Sequence, residues 1–341
     1  MKNLKTFGHL LSGDSLPNLI AVLYRNRSGI SLKYLPQILL IILTPLFLFP
    51  FYLCERLFYT GRIRRTRITK DPVFIIGHFR SGTTYLHNLL CLDKQFGFPT
   101  TFQCFLPGVF LAGKGFARAI LRMNLPGKRP MDDVRVDPGF PQEEEYIISG
   151  LSPLSYYQCY FFPKKMREFF SNYSLLDNGY SARWEKLFLF IVKKITFAWK
   201  GKQLIMKNPV NTTRIRQLVR MFPEAKFIYL HRDPWTVLPS TFKLLDKLLE
   251  IFSFQEIDEH ELRENVRWVY SQTIARYAVQ RKLIPGGNLA EVSYEDLVRD
   301  PLNELERIYR ELQLDGFMLA KGEFESYIAE QSTYIPDVYS R

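Results

Sequence analysis

The segment Gly77-His78-Phe79-Arg80-Ser81-Gly82-Thr83-Thr84 gathers glycines, hydroxyls and one guanidinium into a single turn. It follows the apolar run Val73-Phe74-Ile75-Ile76 and precedes a helical pattern with Leu86, Leu89 and Leu90 on one side. A turn between a buried strand and a helix N-terminus presents successive backbone N–H groups that, with the helix dipole, hold an anion. Gly77 and Gly82 let the backbone come close to a phosphate. The spacing meets G-x-x-x-x-G-K-[ST] except that Thr83 stands at the lysine position, and the cation sits inside the loop at Arg80. That departs from nucleoside-triphosphate chemistry, in which the lysine reaches the terminal phosphates. A second anion site is readable downstream. Arg232 follows the strand pattern Phe227-Ile228-Tyr229-Leu230, and Ser240 falls two turns into the helix that starts at Pro234. One phosphate clamped by Arg232 and Ser240, and another in the first loop, describe a nucleotide phosphorylated at both its 3′ and 5′ positions.

Groups able to move a proton lie elsewhere. Glu143-Glu144-Glu145 follows Pro141 within an aromatic-rich stretch. Such a run suits a solvated helix N-terminus, where the dipole favours carboxylates. It equally suits a buried site in which desolvation and like-charge crowding raise a carboxyl pKa and supply a general base. Glu143 and Glu145 are the candidates that the resemblance described below favours, since both recur in its similar P-Q-E-x-E pattern. His78 in the loop is a further base or a donor-bonding group, and His87, further along the helix, reads as structural. Lys207, just past Leu204-Ile205-Met206, is either a surface lysine or a cation for the reacting group. Four cysteines and five histidines show no C-x-x-C, H-E-x-x-H or zinc spacing, so no metal and no disulfide framework is expected. The low cysteine use suits a reducing compartment.

Positioning these groups takes alternating strands and helices. Strands at Val73–Ile76, Leu204–Met206, Phe227–Leu230 and Leu289–Val292 precede helices near Thr84–Leu92, Thr213–Phe222, from about Trp235, and after Ser293-Tyr294-Glu295-Asp296. Asp300-Pro301 opens one more helix as cap and first residue. The pattern predicts an α/β fold, a P-loop-type parallel sheet flanked by helices. Residues 95–200 read as an aromatic, irregular insertion forming an acceptor pocket, within a domain of residues 71–341.

Residues 1–70 form a separate N-terminal region. From Tyr34 to Cys54 no residue is charged, and as a helix that run spans about 31 Å, enough for a hydrocarbon core of about 30 Å. Pro45 and Pro50 interrupt it, so a spanning helix, a kinked hairpin dipping into one leaflet, a surface anchor and a segment packed on the domain all stay open. Arg56, Arg62, Arg64, Arg65 and Arg67 follow, against Arg25, Arg27 and Lys33 before it. The heavier positive flank places the rest of the chain on the cytoplasmic side of a membrane.

The motifs resemble those of PAPS-dependent sulfotransferases, where PAPS is 3′-phosphoadenosine 5′-phosphosulfate. F-I-I-G-H-F-R-S-G-T-T-Y-L-H-N-L-L is similar to the family's 5′-phosphosulfate loop, and F-I-Y-L-H-R-D-P-W-T-V-L-P-S-T to its 3′-phosphate motif. E-V-S-Y-E-D-L-V-R-D-P resembles the segment that places a tyrosine, here Tyr294, near the adenine. L-I-M-K-N-P-V-N-T-T-R-I and P-Q-E-E-E-Y resemble stretches of a bacterial-type branch. The four nucleotide-domain motifs run in family order over residues 71–312. Arg80 replaces the lysine of cytosolic members, and their closing G-x-x-G-D-W-K segment is absent. The resemblance implies in-line transfer of a sulfuryl group from PAPS to an acceptor hydroxyl or amine, without a metal. Arg80, Ser81, Gly82, Thr83 and Thr84 would hold the 5′ end, Arg232 and Ser240 the 3′-phosphate, and Lys207 the sulfuryl oxygens. It also supports a glutamate base.

The whole composition agrees with a globular enzyme. Apolar residues are 47% and charged residues 23%, which excludes a disordered, collagenous or coiled-coil chain. A net charge of +12 asks for an anionic partner. The basic residues are dispersed or sit beside the apolar run, not interleaved with stacking aromatics, so nucleic acid is not expected. The rival readings are a P-loop kinase of a small metabolite and a non-catalytic, membrane-tethered nucleotide-binding protein. An aromatic insertion beside a membrane segment favours a lipidic or amphipathic acceptor.

Overall fold

The structure, a computed structural model, describes residues 9–125, 127 and 136–331. Its centre is β1 (Val73–Gly77), every residue of which is buried. A strand covered on both faces reads as a continuous apolar run, which is why V-F-I-I was legible. β3 (Gln203–Lys207) and β4 (Lys226–His231) pair with β1 on either side. β2 (Phe96–Gly97) and β5 (Leu289–Ser293) complete a five-stranded sheet of order β2-β3-β1-β4-β5, parallel throughout. Gly77 lies opposite Leu230 and Ile75 opposite Lys207. The turns leaving β1, β3 and β4 therefore emerge side by side, at the end of a parallel sheet where ligands bind.

Alternation along β1 sends Val73 and Ile75 to one face and Phe74 and Ile76 to the other. The first face is covered by α4 (Thr83–Leu90), α14 (Pro301–Glu311) and α15 (Phe317–Gln331) through Leu86, Leu305, Ile308 and Phe324. The second is covered by α9 (Ser181–Ala198) and α10 (Ile215–Met221) through Trp184, Phe188 and Leu218. Asp300 caps α14 and Pro301 is its first residue. α13 (Tyr294–Arg299) starts within S-Y-E-D, not after it, because the Ser293 side chain already caps the Asp296 N–H.

Residues 95–200 differ from the irregular insertion expected. They carry α5 (Thr101–Phe105), α6 (Phe116–Asn124), α7 (Glu145–Leu151), α8 (Met166–Phe169) and the long α9. In α9, Trp184, Phe188, Ile191, Val192 and Ile195 recur at helical spacing and are all buried. These side chains cover the sheet. Residues 156–173 instead join a second core with α1 (Leu16–Arg25), α11 (Pro234–Phe252) and α12 (Glu259–Gln280).

The apolar run forms α2 (Leu35–Phe58), one continuous helix with Pro45 and Pro50 inside it, followed by α3 (Thr60–Arg65). No hairpin forms. One stripe of α2, made of Ile38, Ile41, Pro45, Leu48 and Glu55, is buried against the body, and this packing offsets the prolines' cost to the helix.

Candidate functional site

The turn after β1 is fixed from two directions. The Gly77 N–H donates to Thr212 Oγ1 at 2.8 Å, and the Thr212 hydroxyl donates back to the Gly77 carbonyl at 2.9 Å. At the other end Gly82 has φ +91°, and a Cβ there would lie 2.1 Å from Cδ2 of Tyr294. Only glycine meets both conditions. Arg80 adopts φ 67°, a left-handed conformation that costs a non-glycine residue strain and is characteristic of functional turns.

The residues read from the sequence as two anion sites lie side by side. Arg80 Nε donates to Ser240 Oγ at 2.8 Å. The Arg232 guanidinium lies 4.2 Å over the Tyr294 ring, and its Nη1 is 3.5 Å from the Arg80 carbonyl. Arg232 Nε is buried without a hydrogen-bond partner. Ser81 and Thr83 are buried in the same turn, with Thr84 half-buried beside them. A half-buried guanidinium with an unused Nε donor, a second one beside it, a hydroxyl and a turn of backbone N–H groups are a donor set for phosphate.

The three glutamates have three different surroundings. Glu143 keeps about 14% of its side chain exposed and forms an ion pair with Lys207. Its other oxygen accepts from the Tyr157 hydroxyl. Lys207, almost fully buried at the end of β3, also donates to Thr84 Oγ1 at 3.3 Å, which joins the carboxylate to the phosphate turn. Glu145 is wholly buried. Arg214 Nη1 and Nη2 donate to it at 2.7 and 3.2 Å, Asn208 Nδ2 at 2.7 Å, the Ser155 hydroxyl at 2.8 Å and the Tyr156 N–H at 3.2 Å. Both its oxygens are engaged, and it faces the 208–214 segment. Glu144 is also buried. It accepts from Asn211 Nδ2 at 2.7 Å on one oxygen and has no partner on the other. Burial first, then the neighbouring Glu145 and Glu143 charges, push its pKa up to about 8. Desolvation and crowding thus act most on Glu144, the one member of the run not singled out.

His78 closes one side of an apolar pocket together with Phe79, Tyr156, Tyr160, Leu244 and Val266. Its Nδ1 lies 2.9 Å from the Phe79 carbonyl and its ring 4.8 Å from that of Tyr270. Burial brings its pKa down to about 4, so near neutrality it is an uncharged imidazole. His87 is buried with Nε2 unpartnered, and burial and the Lys207 charge hold its pKa well below the usual range. Among the described residues no three His, Cys, Asp or Glu side chains group closely enough to hold a metal ion.

A turn rich in phosphate donors, an ion-paired carboxylate joined to it through Lys207 and an apolar pocket that begins at His78 and Phe79 of the same turn are parts that group transfer to an apolar molecule needs. A model of the sulfotransferase family matches residues 72–317. The chain belongs to that family. Sulfuryl transfer is accordingly its reaction, and the sheet with its flanking helices is the family's catalytic scaffold. It is 31% identical over 290 residues to omega-hydroxy-beta-dihydromenaquinone-9 sulfotransferase Stf3 of Mycobacterium bovis and of Mycobacterium tuberculosis, covering 84% of this chain and 74% of those proteins. In fold it is similar to the sulfotransferase STF1 of Mycobacterium tuberculosis, with TM-score 0.68, 17% identity, and coverage of 94% of this chain and 88% of that one. STF9 of Mycobacterium avium gives TM-score 0.63 at 18% identity, over 82% of this chain and 72% of that one.

Several residues bonded to the glutamates or to the turn after β1 carry no signal of their own in the sequence. Tyr157 lies in an undifferentiated aromatic run. Asn208, Asn211, Thr212 and Arg214 belong to L-I-M-K-N-P-V-N-T-T-R-I, in which the resemblance assigns a role to Lys207 alone. Their common feature is visible afterwards: five adjoining polar positions, Asn208 and Asn211–Arg214, all fully buried.

Proposed function

We propose that the chain moves a sulfuryl group from PAPS to the hydroxyl of an apolar, lipid-like acceptor by in-line displacement, with Glu143 as general base. The observation that carries this is the bonding of Glu143: Lys207, which also reaches Thr84 of the turn after β1, holds one oxygen, and Tyr157, whose ring lies 6.2 Å from that of Phe79 in the pocket lining, holds the other. The donor set fits a nucleotide bearing a 5′-phosphosulfate and a 3′-phosphate, since Arg232 has an unused buried donor and Ser240 lies within reach of Arg80. Bound there, PAPS supplies the sulfuryl group. Arg80, Ser81, Gly82, Thr83 and Thr84 hold its 5′ end, Arg232 and Ser240 its 3′-phosphate, and Tyr294 lies beside both. Arg80 and the turn's N–H groups neutralise charge on the leaving phosphate oxygen. Glu143 takes the proton of the attacking hydroxyl. As its own charge is neutralised, Lys207 loses its counter-ion and becomes free to stabilise negative charge on the transferring group.

Glu145 is assigned a supporting role. It anchors Arg214 and the 208–213 turn, and through Thr212 the phosphate turn. His78, neutral and inside the pocket, orients the acceptor. An apolar acceptor is supported by the pocket lining, by the shared core that links Tyr156 and Leu245 to Ile38 and Ile41 of α2, and by the menaquinone derivative named for the similar Stf3 enzymes. We further place the chain at a membrane, with its catalytic domain on the cytoplasmic side, on the strength of the apolar helix and its basic flank.

The test is to incubate the protein with radiosulfur-labelled PAPS and a total lipid extract. Label passing to an organic-soluble product supports both halves of the reading. Consumption of PAPS with a water-soluble alcohol alone would sink the lipid acceptor, and ATP with Mg²⁺ replacing PAPS would sink the donor.

A further inference from the structure

The buried stripe of α2 runs from Ile38 to Glu55, about 26 Å along the helix axis. Those contacts therefore occupy most of a hydrocarbon core of about 30 Å. The helix is fastened near its end by a buried ion pair. Glu55 receives Lys194 of α9, the Leu111 N–H at 2.7 Å and the Ala112 N–H at 3.1 Å, and Lys194 also lies 4.1 Å over the Phe110 ring. A helix held to a globular body by one face over that distance cannot cross a bilayer unless the body enters with it. The polar backbone of the 105–113 segment and the charges around it would then lie in hydrocarbon.

The opposite stripe is apolar and open. Leu39, Leu43, Leu46, Phe47, Leu53 and Leu57 are exposed. The stripe widens at α6, where Phe116 meets Phe47 and Phe51 at ring distances of 6.0 and 5.8 Å. Its ends are basic and aromatic together. Arg27 lies 4.4 Å over the Tyr24 ring, Lys33 5.1 Å over Tyr34, and Arg62 5.9 Å over Tyr59. Arg25, Arg56, Arg64, Arg65 and Arg67 are exposed around them, as is Lys114 beside α6. Tyrosines with adjoining cations at both ends of an apolar stripe match the headgroup level of a membrane.

We infer that α2 lies in the plane of a single leaflet as a docking face, with α6 beside it and the basic rims on anionic headgroups. The occupant is a phospholipid surface and not a second copy of the chain, because a copy would bring the same basic rims against these. The inference rests on the membrane association proposed above and adds its geometry. It also places the pocket core, which shares Ile38 and Ile41 with α2, at the leaflet from which an apolar acceptor would come.

Three positions on one stripe, Leu39, Leu46 and Leu57, decide the pose. Each is replaced singly by Cys in a chain whose Cys54 and Cys91 are substituted, and carries an environment-sensitive fluorophore. Depth is read with lipid-borne quenchers in vesicles of phosphatidylcholine with phosphatidylglycerol, and folding is checked by thermal protection with 3′,5′-bisphosphoadenosine. The in-plane pose predicts one common, shallow depth. A deep label at Leu46 between two shallow ends that are reachable from opposite sides would overturn it and leave membrane association standing. Failure of the folded protein to float with any vesicle would overturn the association itself. Labels shielded from lipid, in a protein whose mass doubles with concentration, would replace the leaflet by a second copy. In parallel, Leu43→Glu with Leu46→Glu should lower vesicle binding about tenfold or more and leave nucleotide protection unchanged. Unchanged vesicle binding by that variant would also overturn the proposal.

Discussion

Three consecutive carboxylates with three environments show how little a charge run reveals about roles. Glu143 is part-exposed beside the phosphate turn, whereas Glu145 is sealed against Arg214 and Glu144 against Asn211. Glu145→Gln should leave the buried Arg214 guanidinium without its counter-charge. Removing one member of a buried ion pair costs about 3–5 kcal/mol, so the variant's melting temperature should fall steeply, and further than that of Glu143→Gln, whose Lys207 partner is also buried but whose carboxylate keeps some solvent. Equal melting of both variants would mean that Glu145 does not hold the 208–214 segment. Tyr157→Phe removes one donor from Glu143 and should slow turnover without weakening the nucleotide. The loss should reflect one hydrogen bond to a charged group, about 1.5–3 kcal/mol.

Elements were more legible than contacts. V-F-I-I and F-I-Y-L read as strands because both faces of a parallel sheet are buried, and that requires runs and not alternation. Pro234 and Asp300-Pro301 marked helix starts through proline's fixed φ and its missing N–H. Concealed from such reading were the strand order, the two-residue β2, and the helical character of 95–200, where aromatic richness masked the spacing of Trp184, Phe188 and Ile195. α2 was ambiguous for a physical reason. Prolines argue against a continuous helix, and only the packing of Ile38, Ile41, Pro45 and Leu48 shows what compensates. The β4–α11 unit carries its own prediction. Arg232→Ala should weaken 3′,5′-bisphosphoadenosine by about 1.5–3 kcal/mol, one charge-assisted phosphate contact, and leave a 5′-monophosphate nearly unaffected in calorimetry. Equal weakening of both would move the 3′-phosphate elsewhere.

At the scale of the whole molecule the buried titratable groups give stability a pH dependence. Glu144 is raised from 4.5 to about 8, so across that window the folded chain keeps a proton that the unfolded chain has released. The folded state then loses stability as pH rises through the window. His78, lowered from 6.5 to about 4, acts in the opposite sense, with stability present above 6.5 and lost as pH falls toward 4. Glu144→Gln removes only the first effect. Thermal melts at about pH 5 and about pH 9 should show wild type losing ground to the variant on going to the higher pH. A constant difference between the two proteins would mean that Glu144 is already ionised when folded.

The most direct measurement is single-turnover transfer from PAPS by Glu143→Gln beside wild type, with an accepted lipid alcohol and with 3′,5′-bisphosphoadenosine affinity measured on the same preparations. A general base accounts for about 10²–10⁴-fold in rate. The variant should lose that much transfer while binding the nucleotide as wild type does, because a base acts on the acceptor and the proposed phosphate contacts come from other residues. Transfer at the wild-type rate would contradict the assignment of Glu143 and leave His78, inside the pocket, as the group to replace next.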